Sequence, residues 1–305
     1  MTDRRSASIG VGEALLAYVW WGVVTGLYFH AFTNVHALEL LTWRVFAGLP
    51  IMALLLLHAG AFRGLCQAMS DPKTLQPLLL SAVLIGINWF TFIYAILTER
   101  LVQASLGYFI NPLVSILLAR LILGERVHRL QGIAIGIAAT GVVVFVFTII
   151  SETNEKLSSF PWIPFVLPLS FSLYGLLRKQ MRADSVTGLT IEMILLLPFM
   201  LALEAWLLFS GRSVIPQADA GLLAMLLAGG VVTIVPLVAF AAAARRLRLT
   251  TLGLLQYIAP LGQFGLAIML GESFGKDKAV AFGLILAAIS VYSIDSIKKS
   301  RAQEL

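Results

Sequence analysis

The sequence predicts an all-α polytopic membrane protein, ten transmembrane helices arranged as an inverted 5+5 repeat. Three observations carry that prediction. First, 59% of the 305 residues are hydrophobic and 12% are charged, with mean hydropathy +0.91. Average soluble domains are about a quarter charged, and a soluble fold of this length cannot hide so much apolar surface in one core. Second, Phe109-Ile110-Asn111-Pro112-Leu113 followed by Leu123-Gly124-Glu125 is echoed by Tyr257-Ile258-Ala259-Pro260-Leu261 followed by Leu270-Gly271-Glu272. Pro112 and Pro260 stand 148 residues apart and the Gly-Glu pairs 147 apart, close to half the chain. Third, the Lys and Arg residues favour alternate loops, which sets an orientation.

A span needs about 20 mostly apolar residues. In chain order the apolar runs fall near 10–31, 38–58, 75–97, 102–122, 130–150, 161–177, 188–209, 220–243, 252–270 and 278–297. Arg4 and Arg5 precede the first run. That run is too long for a signal-peptide core and no small-x-small cleavage site follows it, so it is expected to remain as span one. Span two carries Arg44 and Pro50, and span three carries Asn88-Trp89. Tight charged turns, Thr98-Glu99-Arg100 and Gly124-Glu125-Arg126, separate spans three to five. Span seven holds Glu192 and Pro198, the latter again 148 residues after its counterpart Pro50. Ser105-Leu106-Gly107 and Thr251-Leu252-Gly253 match with a slip of two residues, and Trp20-Trp21-Gly22 resembles Leu173-Tyr174-Gly175. Residues 1–150 and 151–305 are therefore expected to be two five-helix repeats within one membrane domain.

With the N-terminus placed inside, sixteen of the 22 Lys and Arg residues fall on the inner side, Arg63, Lys73, Arg178 and Arg245 among them. Five fall outside (Arg100, Lys156, Arg212, Lys276 and Lys278), and Arg44 lies within a span. This positive-inside bias puts both termini in the cytoplasm and inverts one half relative to the other. The same distribution makes the net charge of +6 a topology signal, so no nucleic-acid partner is expected. Cys66 is the only cysteine, which excludes an internal disulfide, and the four histidines show no ligand spacing. No metal and no cofactor is expected.

Inverted repeats are common in secondary transporters, which bind substrate near the midplane between repeats. Tyr108, Asn111 and Ser115 are spaced i, i+3, i+7 and share a helical face. Their counterparts are Gln256, Ala259 and Gln263. Pro112 and Pro260 fall near mid-membrane and interrupt the hydrogen-bond ladder, which is tolerated where a cavity or a neighbouring helix satisfies the freed carbonyls. A substrate cavity is the favoured reading, and kinked helices bonded to each other through these side chains is the other. Asn88, Trp89, Trp20, Tyr174 and Thr233 lie at similar depth, with Asn88 ranked above Trp89.

Ionisable residues inside spans are costly and are functional candidates. Arg44 and Glu192 each precede their aligned proline by six residues. Counting about 1.5 Å per residue puts Arg44 nearer the outer surface and Glu192 nearer the inner, too far apart to touch. Each is expected to gate or guide on its own side. Glu192 is either a proton-coupling carboxylate or an interfacial residue paired with Arg178 or Lys179. Glu13 and Asp295 are expected to be solvated or paired at the inner interface, and Glu125 and Glu272 to be charged helix ends.

The runs Asn88-Trp89, Ser105 to Leu113, Tyr174-Gly175-Leu176-Leu177-Arg178-Lys179, Gly188-Leu189-Thr190-Ile191-Glu192 and Leu254 to Pro260 resemble the RarD proteins of the EamA branch of the drug/metabolite transporter superfamily. The resemblance extends from Trp20-Trp21-Gly22 to Val291-Tyr292-Ser293. It implies a ten-span inner-membrane exporter of small molecules built around a central cavity. The chain departs from that pattern at Trp43, where His is expected, at Ala47-Gly48 in place of Trp-Ser, at Gln103 in place of Glu and at Leu286 in place of Trp.

The function expected is secondary transport of a small amphipathic metabolite or drug by alternating access, with the lipid bilayer, the substrate and a coupling proton as partners. The cavity is expected to have hydrophobic walls, a few amides and phenols and no fixed charge at its centre, which suits neutral, zwitterionic or aromatic compounds. A non-transporting membrane scaffold or regulator is the alternative. An intramembrane enzyme would need paired carboxylates or a Ser/His constellation at membrane depth, and no such set is evident.

Overall fold

Every regular element of the computed structural model is helical, and among the described residues there is no strand. The structure describes residues 2–302 except 33, 124–128, 153–160, 182, 248–251, 253–254 and 272–274. Glu125, Glu272 and Lys156 thus lie outside the described residues, and Lys179 and Asp295 are described by backbone alone. The elements are α1 (Thr2–Val19), a π-helical turn (Trp20–Val24), α2 (Thr25–His30), α3 (Ala37–His58), α4 (Phe62–Ser70), α5 (Pro72–Leu97), α6 (Leu101–Leu123) and α7 (Arg129–Glu152). They continue with α8 (Ile163–Gln180), α9 (Ser185–Phe209), α10 (Ala220–Arg246), α11 (Ile258–Met269) and α12 (Lys276–Ala302).

Helix starts are set by side chains that take up otherwise unpaired backbone donors. The ring of His36 accepts the Leu38 N–H at 3.2 Å at the start of α3. Asp184 accepts from Val186 and Thr187 at 3.0 Å each before α9, and Asp219 from Leu222 at 2.7 Å before α10. Asp71 opens α5, with Pro72 at the first helical position. The Thr74 hydroxyl at 2.6 Å and then the Lys73 N–H at 3.1 Å hold the Asp71 carboxyl below the usual carboxylate range.

Among the described residues, six helical segments are long and apolar enough to cross a membrane: Ser6–His30, Ala37–His58, Pro72–Leu97, Leu101–Ile122, Ser185–Phe209 and Ala220–Arg246. Four shorter apolar stretches are Gly132–Phe145, Ile163–Arg178, Ile258–Met269 and Ala279–Ala288. At about 1.5 Å per residue, the 22 residues of α3 match a hydrocarbon core of about 30 Å. The outward faces are apolar too, with Phe209 93% exposed and Met269 84% exposed. In water such faces would aggregate; in lipid they are solvated. The chain is a multi-pass membrane protein.

Packing interleaves the two halves. α3 lies against α9 and α10, α6 against α8, α7 against α12, and α1 against α10. One continuous buried cluster therefore draws on helices from α1 to α12. A close crossing at the centre is where the π turn meets α11. A Cβ on Gly262 would lie 3.0 Å from the Cα of Gly22, and one on Gly22 would lie 2.9 Å from the Ala259 carbonyl oxygen. Small residues let helix backbones approach this closely in lipid. Gly262→Ala is expected to destabilise the purified protein by about 1–3 kcal/mol, read as a lower unfolding midpoint in detergent. Gly265→Ala, where an added Cβ meets nothing within 4 Å, is the matched control and leaves the midpoint unchanged or raised.

Candidate functional site

The centre of the bundle holds a narrow cavity of about 40 Å³. Its wall takes Tyr18, Trp21 and Thr25 from the first helical segment, Arg44 from α3, Ile85, Asn88, Trp89 and Phe92 from α5, and Tyr108 from α6. Phe171 of α8, Leu237 of α10, and Gln256, Ala259, Pro260 and Gln263 at the start of α11 complete it. Two backbone irregularities flank this space. The π turn at Trp20–Val24 inserts an extra residue into the first helix, and such bulges commonly occur at functional sites. Gln256 and Tyr257 form a turn before α11, so a helix N-terminus begins at the cavity.

Arg44 is the chief polar feature. It is 3% exposed, and its Nε donates to the Thr233 hydroxyl at 3.0 Å. Its guanidinium lies 4.5 Å from the Trp89 ring and 5.2 Å from that of Phe29. Among the described residues it has no carboxylate partner. Asn88 is braced on both ends: its Nδ2 donates to the Leu167 carbonyl at 3.0 Å and to Ser170 at 3.1 Å, and its Oδ1 accepts from the Tyr108 hydroxyl at 3.1 Å. The Thr25 hydroxyl and the Gln263 Oε1 are buried without a hydrogen-bond partner among the described residues.

An aromatic septum closes one end of the cavity. Phe240 lies 6.2 Å from Tyr18, 5.5 Å from Trp21 and 5.5 Å from Phe171, ring centre to ring centre, and Phe171 lies 6.0 Å from Tyr174. Beyond Phe240 and Tyr174 is a second space bordered by Arg178 and Arg245. Glu192 of α9 ties this basic end together. It accepts a short bond from Ser81 of α5, the Tyr174 hydroxyl at 3.4 Å and Arg178 of α8 at 3.5 Å. Gly188 is what lets Arg178 in, since a Cβ there would collide with the guanidinium. Arg246 also pairs with Glu13 at 3.0 Å, joining α10 to α1.

The opposite end is tied by two carboxylates. Glu39, fully buried at the start of α3, accepts the Ser213 hydroxyl at 2.6 Å and the Val214 N–H at 3.1 Å. Glu204 of α9 accepts from Thr42 at 2.7 Å. Neither was singled out in the sequence: Glu39 sits in the first turn of α3, where acidic residues are common, and Glu204 lies in the apolar run of span seven without a local motif.

Of the residues proposed from sequence, Arg44, Asn88, Trp89, Tyr108, Gln256, Pro260 and Gln263 line the cavity. Asn111 and Ser115 do not: both turn to Ser172 of α8, whose hydroxyl meets Asn111 Oδ1 at 2.5 Å and accepts from Ser115 at 2.9 Å. They stitch α6 to α8. Trp20 is outside the wall, and its neighbour Trp21 is in it; the π turn changes the helical phase at this point. Tyr174 lies past the septum, and Glu192 pairs with Arg178 rather than facing the cavity. Pro112 stays within continuous α6, whereas Pro260 falls in the first turn of α11, where its missing N–H has no intrahelical partner to lose. The expected centre without fixed charge is also corrected. Counting residues along α3 locates the Arg44 backbone, but a long side chain carries its charge well away from there, and here it reaches the wall beside Trp89. Thr25, Phe92 and Phe171 were missed because a threonine or phenylalanine in an apolar run carries no local signal. Among the described residues, no group of three or more His, Cys, Asp or Glu could hold a metal.

Among the described residues the chain is a helical, membrane-embedded bundle with a central cavity and polar ties at both ends, an architecture that polytopic membrane transporters use. The comparisons narrow it. Residues 8–147 match the EamA-like transporter family. The Escherichia coli K12 protein RarD is 40% identical over 300 residues, covering 98% of each chain. An uncharacterized transporter of Vibrio cholerae serotype O1 is 38% identical over 301 residues, covering 98% of this chain and 97% of its own. The uncharacterized transporter YojE of Bacillus subtilis 168 is 35% identical over 304 residues, covering 97% of each. One crystal structure superposes with a TM-score of 0.58 over 95% of this chain and 98% of its own at 16% identity, a likeness of fold alone. The chain belongs to the RarD proteins of the EamA-like transporter family and is a membrane transporter.

Asn88→Ala would remove the bonds to Leu167 and Ser170 and leave the Tyr108 hydroxyl without its acceptor. It is expected to cost about 1–2 kcal/mol of stability, measured by unfolding in detergent, and Asn88→Ser is expected to recover part of the loss.

Proposed function

We propose that this chain is an inner-membrane secondary transporter that exports a small amphipathic molecule by alternating access, built from two inverted five-helix repeats. The observation that carries this reading is the central cavity. Residues 1–150 supply Arg44, Asn88, Trp89 and Tyr108, and residues 151–305 supply Phe171, Gln256 and Gln263. A site shared between two interleaved halves is where relative motion of those halves would open first one side and then the other. The internal sequence echo and the sixteen-to-five charge asymmetry support the inverted arrangement with both termini cytoplasmic.

The two ends then act as gates. At the outer end, the ties from Glu39 to Ser213 and Val214 and from Thr42 to Glu204 hold α3 against α9 and the loop before α10. At the cytoplasmic end, the second space leads from Arg178 and Arg245 to the septum of Phe240 and Phe171. Substrate enters from that space when the rings part. Release outward requires the outer ties to break and the basic end to close. Glu192 is the coupling group: its carboxylate bridges α5, α8 and α9, so taking up a proton there weakens the tie to Arg178.

Reconstituted protein is expected to move small amphipathic compounds across vesicles in response to a pH gradient. In Glu192→Gln, flux driven by the gradient falls at least tenfold while exchange of substrate across the membrane persists; gradient-driven flux that equals wild type removes Glu192 from coupling. The topology has a direct probe in Cys66, the only cysteine and exposed on α4. A membrane-impermeant maleimide is expected to label it in inside-out vesicles and not in intact spheroplasts. Labelling in intact spheroplasts reverses the orientation.

A further inference from the structure

The cavity contains a positive charge that the protein does not neutralise. Among the described residues the buried carboxylates Glu192 and Glu39 are engaged elsewhere, with Arg178 and the Val214 N–H, and the half-buried Glu204 is bonded to Thr42. Arg44 spends one donor on Thr233, and its charge otherwise rests on the rings of Trp89 and Phe29. Ring faces attract a cation but offset only part of the cost of taking it out of water. A guanidinium remains protonated in proteins. Its terminal N–H groups have no other hydrogen-bond acceptor among the described residues, and the residue lines the cavity.

A second donor lies on the same wall. The Thr25 hydroxyl is 2% exposed and unpartnered among the described residues.

Resting on the reading of this cavity as the substrate site, we infer that the molecule carried is a small monocarboxylate with an aromatic or apolar body, its carboxylate paired with Arg44. A planar guanidinium matches a carboxylate through two parallel hydrogen bonds. The wall offers one cation and no carboxylate, so a single negative charge makes the loaded cavity neutral. A phosphate-type dianion would leave an unpaired charge in a low-dielectric site, and a cationic compound would meet Arg44 unscreened. The rings of Trp21, Trp89, Phe92, Tyr108 and Phe171 would flank the body of such a molecule once the cavity widens to admit it. The Gln263 Oε1, also unpartnered among the described residues, accepts from one donor group on it.

The test is a charge series of one shape: 3-phenylpropionate, its neutral amide, 3-phenylpropylamine and the dianion phenyl phosphate. Each is scored by thermal stabilisation of the purified transporter and by flux into vesicles, alongside a broader panel of aromatic and aliphatic monocarboxylates, amides and amines. Wild type is expected to respond to carboxylates at least tenfold more strongly than to the matched amide, amine or phosphate. Arg44→Gln is expected to lose that preference, and Arg44→Lys to retain part of it, having the charge without the fork. Thr25→Val is a second variant, expected to weaken carboxylate binding severalfold without removing the preference. Equal response to the amide or the amine in wild type overturns the inference, as does an undiminished carboxylate preference in Arg44→Gln. Transport of neutral or cationic compounds without carboxylates overturns it while leaving the transporter reading intact. Absence of flux for every charge class overturns both.

Discussion

The hydrocarbon core supplies no hydrogen bonds, and the rest of the structure follows from that constraint. Each backbone amide crossing it must be satisfied by protein, so the described chain forms helices and concentrates its irregularities around one space. The π turn at Trp20–Val24 and the turn at Gln256–Tyr257 both border the central cavity. Close approach of Gly22 and Gly262 then locks the two irregular segments against each other. Backbone that departs from the α-helix is tolerated in lipid where protein buries it or a cavity borders it, and here both irregular segments lie at the cavity.

The same constraint divides the ionisable side chains into two kinds. Near the ends of the bundle they are tied: Glu13 with Arg246, Glu192 with Arg178 and Ser81, Glu39 with Ser213 and Val214. Each tie joins different elements and so holds one arrangement of them. At the centre Arg44 has aromatic neighbours and a threonine but no carboxylate. Under the proposed mechanism, breaking and making the ties at the ends moves the halves, while the central charge selects what is moved.

Much of this was legible in the chain. Composition alone required lipid as solvent, and the quoted runs from Asn88-Trp89 to Pro260 carried the family resemblance. The inward aim of Tyr108, Gln256 and Gln263 could be approximated from helical spacing, and Asn88 stood out as an amide at membrane depth. Spacing failed where a neighbouring helix claimed the side chain, as Ser172 claims Asn111 and Ser115. It failed again where the helix itself changed phase, as at Trp20 and Trp21.

The sequence by itself determined that this protein is helical, membrane-embedded and a RarD-type transporter, because apolar run length and residue motifs are local properties that survive without coordinates. Only the tertiary structure decided that Arg44 charges the cavity, that Glu192 belongs to a tie and that Phe240 with Tyr18, Trp21 and Phe171 forms a septum. These depend on how far a side chain reaches and which distant helix receives it. Helical periodicity sets the direction in which a side chain leaves its backbone, and packing sets what it meets.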